Sequence, residues 1–302
     1  MLYLFCGFAS GQDLSYTSAD ISINQIIEGT LLSPNADKQA SLAIIISDYG
    51  PTDRNGNQNF QKNNILKKLG TALAENGIAS FRYDKRTVKQ IRRNVINNNI
   101  SFVDFVTDAK AVIAYFKTQN TYSKLYVIGH GQGSLIGILA SDEYVDGLVS
   151  IGGSAKNIGD VIVSQINATA RQYVEETKKV IQSLKEGKTT RDFPPALGSM
   201  FNFETQPFMI SWIAHEPLEI IQNLTIPIAI INGTKDLQVP IEDAKQLADA
   251  AKNAQLYTIE NMNHVLFTIQ GDNLENSKSY NESFRPLNAE LVEHIVNFIS
   301  KK

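Results

Sequence analysis

An α/β fold, with a mostly parallel, doubly wound sheet and an inserted helical segment, is predicted by three observations. Short, fully apolar runs of strand character alternate with amphipathic helical patterns along most of the 302 residues. The alternation breaks for roughly 70 residues and then resumes, as expected when helices are inserted between two strands of one sheet. Between these, Leu125-Tyr-Val-Ile-Gly-His-Gly-Gln-Gly-Ser134 passes from strand to helix within a few residues, with glycines where a sharp bend cannot carry bulky Cβ atoms.

Taken in order, 21–32 alternates well enough for a strand or hairpin, ending at Ser33-Pro34. Leu42-Ala-Ile-Ile-Ile-Ser47 reads as a strand buried on both faces. A polar loop, 48–57, leads to a helix from about Lys62 to Asn76. Gly77 to Asp84 supplies the next strand, Phe102 to Phe116 an amphipathic helix, Lys124 to Ile128 the strand feeding the bend, and Asp146 to Ile151 another strand. In the break, Asp160 to about Lys185 reads as one long helix. Phe193-Pro-Pro195 interrupts it, and 201–212 is rich in aromatics that either line an acyl pocket or simply pack. Strands resume at 226–231 and 255–260 around a helix at 241–252. A polar loop, 270–283, precedes a closing helix from about Asn288 to Lys302. The organisation expected is a first core part at 12–154, a helical lid at 155–222 and a second core part at 223–302.

A formal charge of −3 and the lack of a basic cluster interleaved with aromatics argue against nucleic acid as a partner. No apolar run reaches the roughly 18 residues of a membrane span. Cys6 is the only cysteine, and His130, His215, His264 and His294 lack metal-ligand spacing, so no metal site and no cofactor are expected. Residues 1–11 are apolar and end in Ala9-Ser-Gly11, small residues of the kind found at a signal-peptidase site. A basic region before them is missing. Two readings stand: a signal-peptide remnant with a periplasmic or secreted protein, or a loosely packed terminus with a cytoplasmic one.

The bend at Gly129–Gly133 has the frame of the Gly-x-Ser-x-Gly nucleophile elbow, with Gly131 where the serine is expected. Asp236 follows one later strand and His264 the next. Each alone is a weak signal, since loop aspartates are commonly turn formers. Together they fall in the order elbow, acid, histidine, each just beyond a strand's C-terminal end, where ligands gather on a parallel sheet.

On these residues, with Gly50-Pro-Thr-Asp-Arg-Asn-Gly-Asn57, Gly77 to Arg86, Asn232-Gly-Thr-Lys-Asp-Leu-Gln-Val239 and Glu260-Asn-Met-Asn-His264, the chain resembles bacterial α/β-hydrolases of the ester-hydrolase and serine-aminopeptidase-like kind. The resemblance covers nearly everything from about Ile21 to Lys302. It implies the α/β-hydrolase fold and a small acyl or ester-like ligand. It also implies Asp236 and His264 as triad members, with the backbone N–H of Gln132 and one near Tyr49 as oxyanion-hole donors.

Three departures weaken the implied chemistry. Gly131 replaces the nucleophile. Asp48-Tyr49 stands where the family usually has Gly-Ser, and an anion beside the oxyanion hole opposes a stabilisation that is often worth a few kcal/mol. Arg86-Thr-Val-Lys89 replaces a glycine-bearing turn. Ser134 and Ser47 are badly placed as substitutes. A deliberately removed serine would leave the other departures without explanation, whereas a decayed site accounts for all of them.

The expectation is therefore an acyl-hydrolase-like protein that is catalytically impaired or a non-catalytic binder of small acyl compounds. The alternative is an active serine-type hydrolase in which position 131 has been altered. A dinucleotide reading of Gly129-x-Gly131-x-x-Ser134 fails, because several strands precede it and no strand-end acid follows at the needed distance.

Overall fold

The computed structural model describes residues 15–35, 39–95, 99–141 and 143–301; the apolar 1–11 stretch lies outside the described residues. Its centre is β3, Leu42–Ile46, in which every side chain is buried. Leu42, Ile44 and Ile46 enter the core on one face of the sheet, Ala43 and Ile45 the core on the other. That is the period-two burial required of a strand covered on both sides. The remaining strands are β1 (Tyr16–Ser22), β2 (Glu28–Pro34), β4 (Ala79–Tyr83), β5 (Leu125–His130), β6 (Gly147–Ile151), β7 (Ile228–Gly233) and β8 (Ala254–Ile259).

They form one sheet in the order β1-β2-β4-β3-β5-β6-β7-β8. β2 pairs antiparallel with β1 and with β4, and every other pairing is parallel. From β3 the chain goes to one side to make β4 and then to the other to make β5. The two loops at the C-terminal ends of β3 and β5 therefore diverge and leave a crevice, the topological switch point at which open α/β sheets take ligands.

Helices α1 (Ile65–Glu75) and α11 (Ala289–Ser300) cover one face through Leu66, Leu69, Leu73, Leu291 and Ile295. The other face carries α3 (Phe102–Gln119), α4 (Gln132–Ala140), α8 (Pro217–Ile221) and α9 (Ile241–Ala250). No described helix is long and apolar enough to cross a membrane.

Four expectations need correction. The stretch 160–185 is two helices, α5 (Ile158–Thr169) and α6 (Val174–Lys185), joined by a turn in which Ala170 leaves the helical region at φ −150°. The turn lets Ile162 and Ile166 share a small core with Val180, Ile181 and Leu184, together with Phe201 from the preceding loop and Ile213 of α7 (Gln206–Ile213). A single straight helix would have left both apolar stripes in water.

Second, Arg86-Thr-Val-Lys89, which stands where the family has a glycine-bearing turn and was given no element, opens α2 (Arg86–Arg92). Its cations reach acids far away in sequence: Arg86 to Asp104 and Asp108, Lys89 to Glu28, and Arg92 to Asp84. Third, the polar loop 270–283 contains α10 (Asn273–Ser279), whose first N–H groups are capped by the Asp272 carboxylate. Fourth, the stretch expected at 21–32 is a hairpin whose first strand begins earlier, at Tyr16; its mostly exposed edge residues carry no apolar alternation that would mark the start.

Candidate active site

Local sequence builds the bend as expected. A Cβ on Gly129 would stand 2.3 Å from the Gly133 carbonyl oxygen, and one on Gly133 would stand 2.4 Å from the Ile46 carbonyl oxygen. β5 and α4 can therefore close against β3 only with glycine at both places. Gly131, at φ +54° and ψ −118°, caps α4 and has the strained backbone of an elbow position.

His264 sits in the loop after β8, with 3 % of its side chain exposed. Its Nδ1–H donates to Asp236 Oδ2 at 2.8 Å. Asp236, in the loop after β7, is held in turn by the N–H groups of Gln238 and Val239, both donating to Oδ1. The expected acid and histidine thus meet, although 28 residues separate them. The backbone carbonyl of His264 accepts from His130 Nε2 at 2.8 Å, which ties the β8 loop to the end of β5.

The place facing Gly131 is filled by Asp48, the first residue of the loop after β3 beyond Ser47. Its Oδ1 accepts the Gln132 N–H at 2.7 Å, and its Oδ2 accepts His264 Nε2–H at 3.1 Å. The Gln132 N–H, expected as an oxyanion donor, is engaged by Asp48, whose carboxylate stands between it and His264. A Cβ on Gly131 would be 1.9 Å from Asp48 Oδ1 and 2.3 Å from its Cγ.

Charge follows the geometry. Burial disfavours the His264 cation, but Asp236 and Asp48 on its two sides outweigh that and raise its pKa to about 10. Burial likewise pushes the Asp48 carboxyl up, and the His264 contact, with His130 and the Gln132 N–H, more than reverses this and holds it well below the usual carboxylate range. At neutral pH His264 is therefore held towards its protonated form. Such a ring has no free base nitrogen.

Around this cluster stand groups that the sequence did not single out. Lys85, 3 % exposed, donates from Nζ to the Asp48 carbonyl and to Gln132 Oε1. Burial lowers its pKa to about 7, against the pull of Asp48. Lys85 follows directly on β4 in the run Tyr83-Asp-Lys-Arg86, and an extra lysine at a strand's C-terminal end was its only signal. Tyr49, next to Asp48 in the chain, is 57 % exposed. Its carbonyl accepts from Thr52 and Gln58, and its ring stacks on Trp212 at 5.6 Å, which stacks in turn on Phe102. Of the aromatics at 201–212, Trp212 therefore packs on the neighbour of Asp48 and joins the main core, while Phe201 belongs to the inserted helices' own core.

The substitute hydroxyls are elsewhere. Ser134 bonds Ser150 Oγ in the interior, and Ser47 lines a small void with Tyr83, Lys85 and Phe105. Among the described residues no group of three or more His, Cys, Asp or Glu side chains could hold a metal ion.

The family described as serine aminopeptidase, S33, matches residues 62–194, which include the elbow but neither Asp236 nor His264. Esterase EstD of Thermotoga maritima is 24 % identical over 270 residues, covering 85 % of this chain; the chain spans 62 % of that protein's length. Among solved structures, Est1E from Butyrivibrio proteoclasticus superposes with a TM-score of 0.54 at 17 % identity, covering 94 % of this chain and 99 % of that one. The Pyrococcus furiosus esterase Pf2001 gives 0.56 at 13 % identity, covering 95 % and 90 %. These likenesses and the sheet order agree on one fold, that of the α/β-hydrolases.

Proposed function

We propose that this α/β-hydrolase-fold protein has lost serine-type acyl transfer and retains the acyl site as a binding site for small acyl compounds. The observation that carries this reading is the Asp48 carboxylate, which takes up the Gln132 N–H and His264 Nε2–H that an acyl enzyme needs for its oxyanion and its base. The absence of a hydroxyl at Gly131 and the protonated state of His264 support it from two further directions. The esterase relatives support the acyl class of ligand. An altered position 131 in an otherwise working hydrolase is less favoured, since a serine Cβ there collides with Asp48 as it stands.

The test is hydrolysis of p-nitrophenyl acetate and butyrate by the wild-type chain against a His264→Ala control. The expected rates are equal, at background. Turnover that disappears with His264 would overturn the reading.

A further inference from the structure

Asp48 is arranged as a bound carboxylic acid would be. One oxygen takes the first N–H of α4 at 2.7 Å, and the other takes His264 Nε2–H at 3.1 Å. Those are the two contacts that a carboxylate product would make to an oxyanion donor and a protonated histidine. The fit is not a chance surface contact, because His264 is 3 % exposed and is oriented from behind by an equally buried Asp236. Gln132 adds a further observation. Its side chain is 7 % exposed, its Oε1 accepts from Lys85, and its Nε2 is buried with no hydrogen-bond partner. A buried donor left without a partner on the residue that holds the Asp48 carboxylate is costly unless something polar reaches it.

The Asp48 side chain is 21 % exposed, more than either other member of the cluster, so the space it fills opens outward. Its backbone is fixed separately: Lys85 and Thr52 both donate to its carbonyl. Truncating the side chain therefore vacates the space without releasing the loop. Next in the chain, Tyr49 is 57 % exposed and stacks one face of its ring on the buried Trp212, which leaves the outer face of Tyr49 as an apolar wall. A short acyl chain extending from a carboxylate would lie along such a wall.

We propose that the Asp48 side chain is a tethered internal ligand in a carboxylate-binding site, and that the external ligand this site takes when Asp48 is out of it is a short-chain monocarboxylate. A tethered group competes at high effective concentration, so free carboxylate must bind the intact chain much more weakly than a chain lacking the Asp48 carboxylate. The idea rests on the reading that serine-type acyl transfer is lost. The two fail separately: that one by His264-dependent ester turnover, this one by the binding pattern below.

Butyrate is titrated by calorimetry and by the fluorescence of Trp212, the chain's single tryptophan, into wild-type, Asp48→Ala, Asp48→Gly and Asp48→Asn proteins. Thermal unfolding establishes which variants are folded, and Ala and Gly are made together so that either suffices. Asn fills the space without the charge. The expected result is saturable binding to the Ala or Gly variant, at least ~10-fold tighter than to wild type and Asn, and lost when His264→Ala is added. Butyrate binding equally well to wild type, absent from every folded Ala or Gly variant, or indifferent to His264, would overturn the proposal. If neither the Ala nor the Gly variant folds, Asp48 is a structural residue rather than an internal ligand, and the proposal falls.

Discussion

Position 131 and position 48 have to be considered as a pair. A serine at 131 must adopt φ +54°, a strain of about 1–3 kcal/mol for a residue with a Cβ, and must also displace a carboxylate that holds two hydrogen bonds. Gly131→Ser alone should therefore lower the melting temperature and yield no ester hydrolysis. In the Asp48→Ala background the same change should cost measurably less stability, and hydrolysis of p-nitrophenyl butyrate should rise above the Asp48→Ala parent. A double-mutant cycle by denaturant unfolding reads the coupling. Strict additivity, or activity from Gly131→Ser by itself, would show that the two positions do not share the space.

At the scale of elements, the inserted helices have a core of their own. Leu184 on α6 is 1 % exposed and packs with α5 and α7 residues rather than with the sheet. Leu184→Ala should cost about 2–5 kcal/mol of local stability, as large-to-small changes in a packed interior do. Its signature should be faster amide exchange across α5, α6 and α7, with the amides of β3, β5 and β6 unchanged. Uniform loss of protection would mean that insertion and sheet unfold as one unit.

The same element shows why the helix pattern was only half legible. Apolar spacing marks both helices, but nothing in 160–185 marks the turn at Ala170, which exists because two apolar stripes must face each other. α2 was illegible for a different reason. Its partners Glu28, Asp84, Asp104 and Asp108 lie in three other segments, β2, the end of β4 and α3, and no pattern within 86–92 can announce such pairs.

For the whole molecule, two buried bases of opposite shift govern the alkaline side of the stability curve. His264 has its pKa raised from 6.5 to about 10, so its contribution to stability is full below 6.5 and is lost as pH rises toward 10. Lys85 has its pKa lowered from 10.5 to about 7, so its penalty is full below 7 and is relieved as pH rises toward 10.5. The two slopes oppose each other between pH 7 and 10. In Lys85→Met the fall due to His264 should stand alone, and stability should drop between pH 7 and 9.5. In His264→Gln the sign should reverse, and stability should rise. Denaturant unfolding at the two pH values checks both, and equal slopes in the two variants would contradict the assignment.

Residue types and order along the chain determined the class of this protein: Leu42–Ile46 can only be a strand buried on both faces, Gly129 and Gly133 can only frame a tight bend, and Asp236 and His264 follow strands where a parallel sheet collects its functional groups. These are local requirements of sterics and burial, and a sequence displays them directly. What the sequence did not contain was the direction of the Asp48 side chain. That depends on the crevice between the β3 and β5 loops, on Lys85 holding the Asp48 carbonyl from β4's end, and on His264 arriving 216 residues later with a proton for its carboxylate. Only the folded sheet brings those three together, because an ion pair across a switch point is a property of topology rather than of neighbouring residues.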